Sequence, residues 1–76
     1  MTEIEWLEIF GDNLASLLHE SNMSQRELAE ETGLSEASIS NYINKRKMPS
    51  IKAVVNIARV FCIDISELID FGDMIF

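Results

Sequence analysis

Large apolar residues recur at steps of three and four along most of the chain. They are Leu7, Phe10, Leu14, Leu17 and Leu18, then Leu28 and Ala29, then Ile39, Tyr42 and Ile43, then Ile51, Val54, Val55, Ile57, Ala58 and Phe61. This is the spacing of helices that each bury one stripe, and no stretch alternates as a half-buried strand would. Polar residues divide the pattern at helix starts. Thr2 with Glu5, and Ser24 with Glu27, have the Ser/Thr-x-x-Glu form of a capping box. Ser35, and Ser50 just after Pro49, can each cap a following helix, and Asp64 with Glu67 opens a last one that ends near Asp70. The pattern predicts five short helices and no strand, in one all-α domain over residues 1–76. Gly11 falls inside the first helical run and costs about 1 kcal/mol relative to alanine, so a kink, or a separate extension over residues 1–9 with Trp6 as a lid on the core, is expected there.

Composition narrows the class. A chain of 76 residues buries only about 60% of the surface its unfolded form exposes, so all five helices must share one core. Hydrophobic residues at 47% against 25% charged mark a folded globular chain. The single cysteine, Cys62, excludes an internal disulfide and reads as a small buried hydrophobe. The amino end, "MTEIEWLEIF", has three glutamates where a signal peptide needs a basic region, and no charge-free run approaches a membrane span. The expectation is a cytoplasmic protein without membrane contact. With His19 as the only histidine, and no metal-ligand, nucleophile or phosphate-loop spacing beside it, the chain reads as a non-enzyme without a cofactor. An acidic acyl carrier would need a modifiable serine in an Asp-Ser-Leu setting, and that tripeptide is absent.

Net charge is −7, which at first argues against a polyanionic partner. The charge is blocked, however. Residues 1–44 hold one basic residue, Arg26, against nine acidic ones, and residues 60–76 hold four acidic residues and no basic one. Between them Lys45, Arg46, Lys47, Lys52 and Arg59 stand without an acid, a segregation typical of an interaction surface.

The basic block follows a short third helix whose other face is small and polar: Glu36, Ala37, Ser38, Ser40, Asn41 and Asn44. The second and third helices are joined around Gly33, which can take the left-handed turn that a side chain would resist; Ala29 is small where the helices cross, and Ile39 and Tyr42 point inward. Residues 25–44, flanked by "FGDNLASLL" and "PSIKAVVNIARVFCIDISEL", resemble the Cro/repressor (Xre-type) helix-turn-helix family over about Phe10 to Ile69, with the helix-turn-helix itself at about 24–44. The resemblance implies a five-helix, lambda-repressor-like domain whose third helix enters the major groove of double-stranded DNA, with dimers reading two half-sites of a palindromic operator. It makes Ser35, Glu36, Ala37 and Asn41 base-facing, with Ser38 nearby. Asn41 is the sharpest of these, because an amide can bond an adenine edge with two hydrogen bonds. It makes Gln25, Asn44, Arg46 and Lys47 phosphate contacts, with Ser24 and Lys52 as weaker ones. The implied role is a transcriptional regulator, a repressor before an activator.

Three positions depart from the family. Leu18 and Ile43 stand where many members bury an arginine–glutamate pair, Lys45 replaces the usual glycine after helix three, and Cys62 stands at another usual glycine. A left-handed Lys45 or an altered loop is therefore expected. The terminal "ELIDFGDMIF" carries Leu68, Ile69, Phe71, Met74, Ile75 and Phe76, more apolar groups than a tail over 70–76 needs. They are expected to cover the end of the core or to form the seam of a homodimer. The rival reading is an acidic helix-turn-helix that binds a protein, as an antitoxin-like module would.

Overall fold

Each of the first four helices starts where a hydroxyl residue stands in extended backbone and accepts a hydrogen bond from the N–H three residues on. The donors are Glu5 to Thr2, Glu27 to Ser24, Ser38 to Ser35 and Ala53 to Ser50, at 3.2, 3.0, 3.0 and 3.1 Å. The computed structural model describes residues 2–69, and among these the elements are α1 (Glu3–Glu20), α2 (Gln25–Thr32), α3 (Glu36–Ile43), α4 (Ile51–Phe61) and α5 (Ile65–Leu68), with no strand. The Ser24–Glu27 box is reciprocal, since the Glu27 carboxylate accepts from the Ser24 N–H at 3.0 Å. At Thr2 the hydroxyl itself donates to Glu5 Oε1, at 3.2 Å. Helix α5 ends at Leu68, two residues short of the expected end, and Asp70 lies outside the described residues.

The core is one cluster drawn from all five helices, with Phe10, Leu14, Leu28, Ile39, Ile57 and Leu68 fully buried. Trp6 stacks on Phe10 at 5.4 Å between ring centroids, and Phe10 meets the Tyr42 ring edge-on at 5.9 Å. Trp6 thus caps the core as expected, but from within α1 rather than from a separate extension. The helix runs unbroken through Gly11. A methyl group at Gly11 would lie 2.8 Å from the Tyr42 carbonyl oxygen and 3.2 Å from that of Ile43. Glycine is present because the end of α3 crosses α1 there, not because α1 bends.

Four expectations about side chains change. Leu68 is fully buried, and the Asn13 amide donates to its carbonyl at 2.7 Å, so this residue closes the core's end and has no surface left for a dimer seam. Ile69 packs half-buried against the same cluster; Phe71, Met74, Ile75 and Phe76 lie outside the described residues. Ile51 is 84% exposed instead of inward. Ile43 is half-buried against the cluster that contains Leu18, so the apolar replacement of the ion pair sits at the edge of the core rather than in its dry centre.

Cys62 is the fourth. It is exposed, and its backbone is left-handed, φ 56 and ψ 40. The Ile63 N–H bonds the Ala58 carbonyl at 3.0 Å and the Cys62 N–H bonds that of Arg59 at 3.1 Å, the pair of bonds that closes a helix with a left-handed residue. A β-carbon costs about 1–2 kcal/mol in that conformation. Cys62→Gly, which removes no buried surface, should therefore raise stability by about 1 kcal/mol, or about 4–8 °C in melting temperature for a domain of this size. A thermal melt that is unchanged or lowered would count against strain at this position.

Candidate nucleic-acid interface

Helix α3 divides by its own period. Ile39 and Tyr42 are buried and Ile43 half-buried, while Glu36, Ala37 and Asn44 are exposed and Ser40 and Asn41 half-exposed on the other side. Ala37, Asn41 and Asn44 stand at i, i+4 and i+7 and so form one stripe. The turn ahead of them is held from three directions. Gly33 is left-handed at φ 77 with its N–H on the Ala29 carbonyl at 2.9 Å; Thr32 Oγ1 donates to the Leu28 carbonyl at 2.8 Å and accepts from the Leu34 N–H at 3.2 Å; and Ser35 caps α3. Thr32 carries this turn without having been singled out in the sequence. A threonine at the last helical position, able to bond back to the carbonyl four residues earlier, was the available signal.

Hydrogen bonding within α3 sorts the residues singled out there. The Ser35 hydroxyl accepts from the Ser38 N–H and donates to Ser38 Oγ at 2.9 Å, so both serines are engaged in capping. The Asn44 amide nitrogen donates to the Ser40 carbonyl at 2.9 Å and to its hydroxyl at 3.2 Å. In this arrangement the Asn44 amide closes the end of α3. Among the described residues the Asn41 amide has no hydrogen-bond partner, and Glu36 and Ala37 project freely beside it.

The basic loop is fixed at its first residue. Lys45 is left-handed at φ 61, with its N–H on the Tyr42 carbonyl at 3.2 Å and the Arg46 N–H on the Asn41 carbonyl at 2.8 Å. The same helix-closing motif appears here on lysine, so the strained alternative expected for Lys45 is the one adopted. Its Nζ lies 2.6 Å from Asp12 Oδ1. The block that looked free of acids in sequence thus has one cation answered from α1, while among the described residues Arg46, Lys47 and Lys52 are exposed without an acidic partner. Lys52 sits in the first turn of α4, the helix that lacks an acidic residue in its first turn. A cation at the positive end of a helix is against the dipole preference, and it concentrates attraction for an anion there. Arg59 is in the last turn of α4, where the dipole suffices to explain it. Gln25 is half-buried at the first position of α2, next to the exposed cap Ser24.

The Glu27 carboxyl is held below the usual carboxylate range, first by the Ser24 backbone N–H and then by its side chain. A lowered folded-state value gives stability that is present above the ordinary glutamate pKa and is lost as pH falls through the lowered one. In Glu27→Gln the amide retains a bond to Ser24 but cannot titrate, so as pH is taken below the ordinary glutamate value of 4.5 the variant's melting temperature should fall less than the parent's. Parallel acid limbs would show that the box contributes nothing to the pH response.

Helix α2, a tight left-handed turn and α3 with a free polar face, followed by an exposed basic loop, define the class of a helix-turn-helix DNA-binding regulator. A family model for the HTH_3 helix-turn-helix matches residues 14–68, and the chain belongs to that family. No curated protein sequence matches it. Among solved structures it is similar to the SOS-response transcriptional repressor LexA from Eubacterium rectale, at 26% identity and a TM-score of 0.85, covering 100% of this chain and 81% of that one. It is also similar to the restriction-modification controller protein C.AhdI from Aeromonas hydrophila, at 26% identity and a TM-score of 0.78, covering 82% and 94%. An HTH_3 family transcriptional regulator from Vibrio cholerae shares the fold at 21% identity and a TM-score of 0.84; the match covers 88% of this chain but 38% of that longer one.

Proposed function

We propose that this protein is a transcriptional repressor that reads double-stranded DNA sequence-specifically, two copies occupying the half-sites of a palindromic operator with α3 in each major groove. The observation that carries the reading is the Asn41 amide, without a hydrogen-bond partner among the described residues, on a small face of α3 beside a loop that presents Arg46 and Lys47. Glu36, Ala37 and Asn41 are then the base-reading side chains. Ser35 and Ser38 set the helix's N-terminus against the groove, and Gln25, Arg46, Lys47 and Lys52 contact phosphate with support from Ser24. The similar structures of a transcriptional repressor and a restriction-modification controller protein support a regulatory role. On this reading the protein works in the cytoplasm, beside the DNA.

Selection of bound sequences from random duplex DNA tests it. Enrichment of an inverted repeat whose half-site centres lie about one helical turn apart supports the reading. Recovery of no preferred sequence assigns the polar face of α3 to a protein partner, as an antitoxin-like module would use it.

A further inference from the structure

Two ion pairs occur among the described residues. Arg26–Glu30 lies within one helix, whereas Lys45–Asp12 ties the loop after α3 to the middle of α1, 33 residues away. Three features bring the lysine there. Its backbone is left-handed at φ 61, a conformation that a side chain resists. Its stem runs over Gly11, where an added methyl would lie 3.3 Å from Lys45 Cε. Its ammonium then ends 2.6 Å from Oδ1 of the next residue, Asp12.

This pair does not hold the loop in shape. Backbone bonds already do so, from the Lys45 N–H to the Tyr42 carbonyl at 3.2 Å and from the Arg46 N–H to the Asn41 carbonyl at 2.8 Å. With the Asp12 side chain 71% exposed, the pair is screened by salt and contributes little to stability. Its larger effect is on charge. Lys45 leads directly into Arg46 and Lys47, which are exposed without an acidic partner among the described residues, yet it adds no net charge to their loop while Asp12 holds it. We propose that Asp12 is a positioning residue for DNA binding: by holding Lys45 against α1 it withholds one cation from the phosphate backbone and lowers the sequence-independent part of the affinity. The proposal rests on the reading of the basic loop as a phosphate-contacting surface. Once Asp12 is neutral, the four-carbon stem of Lys45 is free to turn outward to the backbone that Arg46 and Lys47 contact.

The test measures binding to a selected operator and to a duplex of random sequence, at salt from about 50 to 200 mM. The proteins are the parent, Asp12→Asn, Lys45→Gln, the double variant Asp12→Asn/Lys45→Gln, and Glu20→Gln. The last makes the same change in net charge at an exposed position at the far end of α1. Asp12→Asn should bind both duplexes more tightly, by the same factor. Its slope of log affinity against log salt should steepen by about 0.9 per copy, so its advantage should shrink about threefold per copy across that salt range. Lys45→Gln, the double variant and Glu20→Gln should keep nearly the parent's slope. An unchanged slope or weaker binding in Asp12→Asn would overturn the proposal. So would a steepening that persists in the double variant, which would assign the effect to repulsion of phosphate by Asp12 itself. Each of these failures occurs with a parent that binds DNA and leaves the DNA-binding reading standing. A parent that binds neither duplex at the lowest salt would overturn both.

Discussion

Gly11→Ala should lower the stability of this domain by about 2 kcal/mol, although in an isolated helix the same change would raise it. Alanine gains about 1 kcal/mol over glycine in a helix interior. Against that, the added methyl would sit 2.8 Å from the Tyr42 carbonyl oxygen and 3.2 Å from that of Ile43. These atoms are backbone at the end of α3 and cannot swing aside as a side-chain tip could, so the overpacking cost lies toward or beyond the upper end of the usual 1–3 kcal/mol. At about 4–8 °C per kcal/mol the melting temperature should fall by roughly 8–16 °C. Gly33→Ala is the natural comparison: its φ of 77 carries a strain of about 1 kcal/mol, but nothing lies within 4 Å of the new methyl, so its loss should be the smaller. An alanine at residue 11 that left the melting temperature unchanged or raised it would mean that α1 and α3 do not cross where they are drawn. The change should also weaken DNA binding beyond the loss of stability, because the displaced backbone leads directly into Lys45, Arg46 and Lys47.

What could be read from the sequence is what neighbouring residues decide among themselves. The caps at Thr2, Ser24, Ser35 and Ser50 act over three residues, and the buried stripe of α3 follows from a local period; both were legible. Two of the differences, at Gly11 and Lys45, involve partners far along the chain. Gly11 was taken as a helix flaw because the carbonyls it makes room for belong to residues 42 and 43. Lys45 looked uncompensated because Asp12 is 33 residues away. Cys62 was assigned to the core on residue type, whereas the backbone turn at the end of α4 decides its exposure. Asn44 is expected at phosphate from its position in the family pattern, which does not reveal that its amide also bonds Ser40. Leu68 was one apolar residue among several at the end of the chain, and only the packing of α5 on α1 and α4 separates it from those that follow.

Lys47→Ala and Asn41→Ala should impair DNA binding in different ways, and the difference separates backbone contact from base reading. Lys47 is exposed and, among the described residues, free of an acidic partner, so on the proposed reading it contributes a phosphate contact that releases counterions. Its removal should weaken binding to all duplexes alike and reduce the slope of log affinity against log salt by roughly one unit per protein copy. The Asn41 amide has no charge and, among the described residues, no internal partner, so its loss should leave that slope nearly unchanged and cost about 1–3 kcal/mol of discrimination at one base position in each half-site. Lys45→Ala is an informative third member. Its ammonium is held 2.6 Å from Asp12, so the change removes a neutralised pair's cation and should alter the salt slope less than Lys47→Ala does. The net charge of −7 bears on all three, since it depresses nonspecific binding and makes the base-specific share easier to resolve at physiological salt. Titration of the selected operator and one mismatched duplex at several salt concentrations gives both quantities for each variant. Equal salt slopes for parent and Lys47→Ala would remove the basic loop from the interface. Unchanged discrimination in Asn41→Ala would remove the polar stripe of α3 from base reading.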